Sequence, residues 1–184
     1  MDALTALHTR TSSPRLKEPA PSAVQLENIY RAAMRAADHG LLQPWRFLEI
    51  RGEKRGKLGD LFVQATVDSN PEVSEAQQEK TRCKPQRAPL IIVTISSYRE
   101  HPKVPEFEQD LSAAAATQNM LLACHAQGVG AMWRTGSLAY HPIVREGLGI
   151  EDHEKIIGFL YLGSHEGPTR PIESADITAF VQDW

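Results

Sequence analysis

Leu90-Ile91-Ile92-Val93-Thr94-Ile95 is the longest apolar run of the chain, and it lies between Pro89 and the pair Ser96-Ser97. β-branched residues favour strands, and a run without alternating polar positions has no face suited to water. The run therefore predicts the central strand of a sheet, buried on both faces. The rest of the fold is expected to form around it.

Three other segments have the pattern of strands. Arg46–Ile50 alternates polar and apolar residues, which is typical of a half-buried strand. Ala131–Arg134 is a short segment that follows a glycine, and Ile156–Leu162 is almost wholly apolar. We expect both to be strands, the second of them buried.

Apolar residues recur at helical spacing in four segments. The first follows Ser22, which forms a capping-box pattern with Gln25. A long core helix is expected before Gly128, because glycine commonly ends helices. The predicted helices are Ala23–Ala37, Lys54–Ala65, Glu108–Gln127 and Pro142–Leu148, with one short helix in the polar section 66–86.

The composition favours a single domain over residues 1–184. The 184 residues are 41% hydrophobic and 23% charged, close to the average of globular domains. Lys and Arg number 20 against 23 Asp and Glu, and the net charge of −3 gives no general attraction to nucleic acid or anionic lipid. We therefore expect no nucleic-acid partner and no membrane partner.

The cysteines and the first residues point to a reducing compartment. Cys83 and Cys124 lie far apart and form no CxxC pair, which disfavours a zinc ribbon or a redox dithiol. No metal site is predicted. Met1-Asp2-Ala3-Leu4 has an acid where a secretory leader carries basic residues. The expected location is the cytoplasm.

Several common catalytic motifs do not occur. Gly128 and Gly130 begin a GxGxxG pattern, but Trp133 takes the third position and the segment follows a helix. HExxH, GxSxG and GxxxxGK[ST] are absent from the sequence. Dinucleotide-fold, zinc-protease, serine-hydrolase and P-loop mechanisms are therefore disfavoured.

Arg10-Thr11-Ser12-Ser13-Pro14-Arg15 has the composition of an anion-binding segment. The two arginines offer planar guanidinium groups, and the hydroxyl residues add small donors. The alternative interpretation is an ordinary solvated segment near a terminus. Neighbouring motifs decide between these two interpretations.

Two further motifs accompany Arg10–Arg15. Arg35–Trp45 ends in Gln43-Pro44-Trp45, and Gly130–Gly136 ends in Trp133-Arg134-Thr135-Gly136. In order and spacing, the three segments resemble the phosphate motif, the Gln-Pro-Trp loop and the flavin-edge loop of FMN-dependent nitroreductases. The short-chain, minimal NAD(P)H nitroreductase branch is the most similar, and the resemblance extends from Met1 to about Gly163.

The resemblance implies a layered α+β fold with a mixed β-sheet flanked by helices. It also implies a homodimer with FMN at the subunit interface and exchange of the C-terminal segment, residues 164–184. Such exchange would explain why the tail ends in the apolar residues Phe180, Val181 and Trp184.

The resemblance also assigns cofactor contacts. The first motif would hold the FMN phosphate and ribityl chain, the second would reach the flavin of the other subunit, and the third would follow the isoalloxazine edge with backbone donors. The implied cofactor-binding residues are Arg10, Thr11, Ser12, Arg35, His39, Trp133, Arg134 and Thr135.

The chain departs from the family pattern in three places. Thr11 stands where a second arginine is common, so one charge on the phosphate side is missing. Pro14 stands where larger relatives place a basic residue near flavin N1 and O2, and Arg10 or Arg15 is expected to compensate. Leu41 replaces a polar loop residue of larger relatives.

The implied reaction is ping-pong transfer of hydride from NAD(P)H to flavin N5 and then to a nitroaromatic, a quinone or a similar acceptor. The cofactor carries this chemistry, so no residue is predicted to be catalytic. Trp45, Phe107 and Trp133 are candidates for an acceptor pocket, with core packing as the alternative. Two other functions stay open: a flavin-binding or flavin-processing protein without NAD(P)H turnover, and an interaction protein without cofactor.

Overall fold

The computed structural model describes residues 1–169, 171–173 and 175–184. Seven α-helices and five strands are found in these ranges, together with three short 3-10 turns. The helices are α1 (Ala3–Thr9), α2 (Ala23–Ala33), α3 (Lys54–Ser69), α4 (Glu75–Arg82), α5 (Glu106–Ala126), α6 (Ser137–Tyr140) and α7 (Pro142–Gly147). The strands are β1 (Leu16–Lys17), β2 (Trp45–Arg51), β3 (Leu90–Ser97), β4 (Gly130–Arg134) and β5 (Glu154–His165).

The apolar run seen in the sequence forms β3, and β3 lies inside the sheet between β2 and β5. β5 also pairs with β4 and with the short β1. The prediction of a central strand is confirmed. The prediction of a mixed sheet is wrong for the described strands, because all four pairings are antiparallel.

Alternation along β3 divides the core into two layers. Leu90 and Ile92 face the layer formed by α2 and α5, whereas Ile91, Val93 and Ile95 face α3, α6 and α7. All five side chains are fully buried. Neighbouring strand residues point to opposite faces, so an unbroken apolar run is what a sheet with helices on both sides requires. The α+β layered class is therefore confirmed.

Several helix boundaries differ from the expected ones. α2 ends at Ala33 and not at Ala37, because Arg35 and Ala36 donate to the carbonyls three residues earlier and tighten the chain. The Asn119 side chain of α5 also donates to the Ala32 carbonyl, at 3.1 Å. α1 was not predicted, although Asp2 caps it by accepting a bond from the Thr5 amide.

The polar section after α3 contains the expected short helix, α4. α4 packs directly on α3, and the Arg82 carbonyl approaches Gly59 so closely that a side chain at Gly59 would overlap it. A 3-10 turn, Lys84–Arg87, then leads into β3. This turn brings two cations towards the sheet.

None of the helices in the described ranges is long and apolar enough to span a membrane.

An ion pair joins the two strands that flank β3. The Arg46 guanidinium of β2 donates to both carboxylate oxygens of Glu154 at the start of β5, each at 2.6 Å. The Glu154 side chain is only 4% exposed. Hydrogen bonding to Arg46 lowers the pKa of Glu154 to about 2. The Glu151 amide also donates to Glu154 Oε2, at 3.1 Å, so Arg46 is the charged partner of a carboxylate that has one further donor.

We expect Arg46→Ala to lower the free energy of unfolding by about 2–4 kcal/mol at neutral pH, since it leaves a buried carboxylate without its partner. The folded-state pKa of Glu154 lies below its ordinary value of 4.5, so the pair stabilises fully above that pH and less as the pH falls toward about 2. Urea denaturation measures the free energy of unfolding. The difference in this free energy between Arg46→Ala and the wild type should become smaller at acidic pH.

Arg31→Ala is the control, because Arg31 forms an exposed pair with Glu27 within α2. Its expected cost is below about 0.5 kcal/mol. Equal losses in the two variants would contradict a special role for the pair of Arg46 with Glu154.

Candidate functional site

The N-terminal motif is attached to the outer edge of β4. Arg10 caps the end of α1, and three residues later the Ser13 amide donates to the Ala131 carbonyl at 2.8 Å. Among the described residues β4 pairs with β5 only, so this bond lies on its free side. The structure thus brings the first and third motifs of the sequence together.

A cleft of about 290 Å³ opens where this segment meets β4 and the end of α5. Arg10 and Thr11, which the sequence analysis names as candidate anion-binding residues, line it. Ser13 takes part in the lining in place of Ser12, whose side chain is exposed. No Asp or Glu is among the described lining residues, which are Met1, Arg10, Thr11, Ser13, Leu121, His125, Gly128, Val129, Gly130, Ala131, His165 and Thr169.

Two histidines of this cleft were missed by the sequence analysis. His125 Nε2 lies 2.9 Å from the Thr9 hydroxyl, and His165 reaches the cleft from the end of β5. The four-residue spacing of Leu121 and His125 places both on one side of α5, which is the only local signal for either histidine. His165 belongs to a strand 40 residues further along the chain.

Glycine is required at Gly130 by close packing. A side chain there would collide with Leu16 and crowd the Gly163 carbonyl. Gly130 is therefore explained by the approach of β1 and β5 to β4, and not by a dinucleotide fingerprint.

In the third motif, the side chains of Trp133 and Arg134 point to opposite faces of β4. The Trp133 ring packs over Gly158 and donates from Nε1 to the Ile157 carbonyl at 3.3 Å. Arg134 points to the other face, with its guanidinium carbon 5.2 Å from the centre of the Tyr161 ring. Burial lowers the pKa of Arg134. Trp133 is thus held by packing, which favours the core alternative for this residue.

Backbone groups on the free side of β4 are available to a ligand. In an antiparallel strand, alternate residues direct both backbone groups to the same side. Since Ala131 accepts from Ser13 on the free side, the amide of Trp133 also faces away from β5. Thr135, the first residue after β4, is exposed.

Arg35 and His39 do not reach this cleft in the same protomer. His39 Nδ1 lies 2.5 Å from Glu108 Oε2, near the start of α5, whereas the cleft is lined by Leu121. Leu121 lies thirteen positions after Glu108 along the helix, which corresponds to about 20 Å. Arg35 lines a different groove, between α1 and α5. Their predicted roles in cofactor binding therefore require a second subunit.

The loop before β2 is strained and exposed. Leu41 and Gln43 both have a positive φ, 54° and 48°, although neither is glycine. Leu41 is 87% exposed, and the Gln43 amide is held by Asp38 Oδ2 at 2.6 Å. Strain of this kind is often found at binding surfaces.

The other side chains considered from the sequence differ in burial and in chemistry. Trp45 is buried in the core, whereas Phe107 is 62% exposed on α5. A hydrogen bond to Glu79 raises the pKa of the Cys83 thiol, which disfavours a nucleophilic role. Burial raises the pKa of Cys124 to about 12. In the described part of the chain, no three His, Cys, Asp or Glu residues are grouped so as to bind a metal ion.

Comparison with known proteins places the chain in a family. The model described as "Nitroreductase family" matches residues 7–164. YdjA of Escherichia coli (strain K12), which is named as an NAD(P)H nitroreductase, is 43% identical over 182 residues, covering 98% of each chain. The chain belongs to the nitroreductase family.

Solved structures of this family share the fold. A nitroreductase-like family protein from Bacillus cereus superposes with a TM-score of 0.84 at 23% identity, covering 100% of this chain and 96% of that one. The FMN and NADPH-dependent nitroreductase NfnB from Sphigopyxis sp. strain HMH gives a TM-score of 0.78 at 19% identity, with 100% and 99% covered. The nitroreductase fold implied by the sequence motifs is confirmed.

Proposed function

We propose that the protein is an FMN-dependent oxidoreductase that takes hydride from NAD(P)H and passes it to a nitroaromatic, a quinone or a similar acceptor by a ping-pong mechanism. The observation that carries the proposal is the cleft in which the Arg10–Ser13 segment meets the free edge of β4. The names of the relatives, an NAD(P)H nitroreductase and an FMN and NADPH-dependent nitroreductase, support it.

The residues of the cleft fit the phosphate of FMN. The Arg10 guanidinium and the hydroxyls of Thr11 and Ser13 are donors, and the His125 ring lines the same cleft. The described lining contains no carboxylate to repel a phosphate. Ser12 adds a further hydroxyl next to the cleft.

The free edge of β4 fits the edge of a flavin ring. The outward amide of Trp133 provides a donor where negative charge would develop on a reduced ring, and the exposed residue Thr135 lies two positions further on. FMN, when bound, supplies the hydride-accepting centre that no amino-acid side chain provides. The role of the chain is to hold and orient both reactants, and no side chain needs to transfer a proton or form a covalent bond.

We further propose that the active form is a homodimer in which Arg35 and His39 contact the flavin held mainly by the other subunit. Exposed apolar side chains occur on α1 and α5, where Leu4, Leu7, Phe107 and Leu111 are all more than half exposed. The tail adds Phe180, which is 82% exposed, and Trp184, which has no shielding within the protomer. Two free thiols fit the proposed cytoplasmic location.

Truncation after Thr169 is expected to weaken the dimer and release FMN, because it removes the apolar tail from the partner's surface. Light scattering coupled to gel filtration measures the mass, and the absorbance of the eluted protein measures bound flavin. The double variant Phe180→Ser and Trp184→Ser tests the same contacts in a chain of full length. An intact, yellow dimer from both variants would contradict segment exchange.

Arg10→Ala is expected to weaken FMN binding by about 1.5–3 kcal/mol, the usual contribution of a hydrogen bond to a charged group. Quenching of flavin fluorescence on titration measures the affinity. NAD(P)H-dependent reduction of a quinone should fall at low FMN and recover when FMN is raised.

Arg31→Ala serves again as the control, since Arg31 is exposed and pairs with Glu27. Its FMN affinity should equal that of the wild type. An unchanged affinity in Arg10→Ala would overturn the assignment of the phosphate site.

A further inference from the structure

A second cleft lies on the other face of β4 and combines cations with aromatic rings. It has a volume of about 170 Å³ and is bounded by the 3-10 turn Lys84–Arg87, the end of β4, and the helices α3 and α6. We call it the basic-aromatic cleft. Its lining residues are Phe62, Lys84, Arg87, Arg134, Thr135, Leu138, Phe159 and Tyr161.

The floor of the basic-aromatic cleft is rigid and apolar. Phe62 and Phe159 are both 3% exposed and meet edge to face, with ring centres 5.4 Å apart. Tyr161 is equally buried beside them. A cavity of about 150 Å³ is large enough for one benzene ring, so this cleft accommodates a single aromatic ring.

The rim of the cleft has an unbalanced positive charge. Lys84, Arg87 and Arg134 converge on it, and in the described part of the chain no carboxylate lies within 4 Å of the three charged groups. Arg134 Nε is buried without a hydrogen-bond partner. The concentration of cations contrasts with the net charge of −3 of the whole chain.

The charges at the rim destabilise each other. Burial, followed by repulsion from Arg87 and Lys80, lowers the pKa of Lys84. Burial also lowers the pKa of Arg134, and repulsion from Arg87 lowers it further. Partly buried cations that repel each other are stabilised when an anion lies between them.

From this geometry we infer that the basic-aromatic cleft binds the carboxylate and ring of a small aromatic acid. Guanidinium groups bind a planar carboxylate through paired hydrogen bonds, and the rings of Phe62 and Phe159 form the floor against which the ring of the ligand packs. The described lining thus contains cations for the carboxylate of such a molecule and aromatic side chains for its ring.

The position of the cleft connects this ligand to the proposed reaction. Arg134 and Thr135 belong both to the cleft and to the motif proposed to follow the flavin edge. A wider adjoining cleft shares Arg87 and Arg134 and extends to Pro14 and Arg15. The only carboxylate in its described lining, Glu166, lies 3.4 Å from Lys17. Resting on the proposed function, the inference is that an aromatic acid bound in this cleft lies next to the proposed flavin edge.

Calorimetric titration of the FMN-loaded protein with benzoate tests binding without any turnover. Benzoate is expected to bind, and benzyl alcohol, which has the ring without the charge, is expected to bind roughly 10-fold more weakly or not at all. Arg87→Gln and Lys84→Gln should each weaken benzoate binding by roughly 10-fold, and Arg31→Gln should leave it unchanged. Neither Arg87 nor Lys84 belongs to the proposed flavin contacts.

Absence of benzoate binding, or equal binding by wild type and Arg87→Gln, would overturn the inference. Equal binding of benzoate and inorganic phosphate would overturn the aromatic part, since phosphate has no ring for the floor. Binding of benzoate by a protein that does not turn over would contradict the proposed function alone.

Discussion

The outer edge of β4 is the constraint on which the site depends. β5 saturates one side of β4, and on the other side the described residues provide one backbone bond, from the Ser13 amide to the Ala131 carbonyl. An edge strand has unpaired amides and carbonyls that need a partner. The segment after α1 covers part of this edge and directs Arg10 and Thr11 into the cleft. The remaining edge, from Trp133 onward, is left for a ligand.

Cations are distributed around the same strand, although the chain as a whole is slightly acidic. Arg10 lies in the cleft beside α5, whereas Lys84, Arg87 and Arg134 lie on the opposite face of β4. The two clefts thus carry positive charge on opposite faces of one short strand. In the function proposed above, the cofactor phosphate and the carboxylate of a bound aromatic acid would take distinct positions, which a single basic patch would not provide.

Much of the fold follows from local sequence. The residues of β3 are apolar on both faces of the strand, so the sheet around β3 needs helices on both sides. The early end of α2 was not predictable, since the apolar spacing continues to Ala36 while the backbone already tightens at Arg35, where Asn119 of a distant helix also bonds the Ala32 carbonyl. The first and third site motifs were found because each is contiguous. His125 and Arg87 were not, because only the packing of α5 and of the Lys84–Arg87 turn against the sheet brings them to β4.

The most direct test of the proposed oxidoreductase is a visible spectrum of the protein after mixing with FMN and desalting, followed by anaerobic addition of NADH or NADPH. The account predicts that flavin bands are retained, that reduced nicotinamide bleaches them, and that a quinone restores them. Retained bands that stay oxidised would contradict the reductase and leave a flavin-binding or flavin-processing protein. A colourless protein would contradict the cofactor site at Arg10 and β4 altogether.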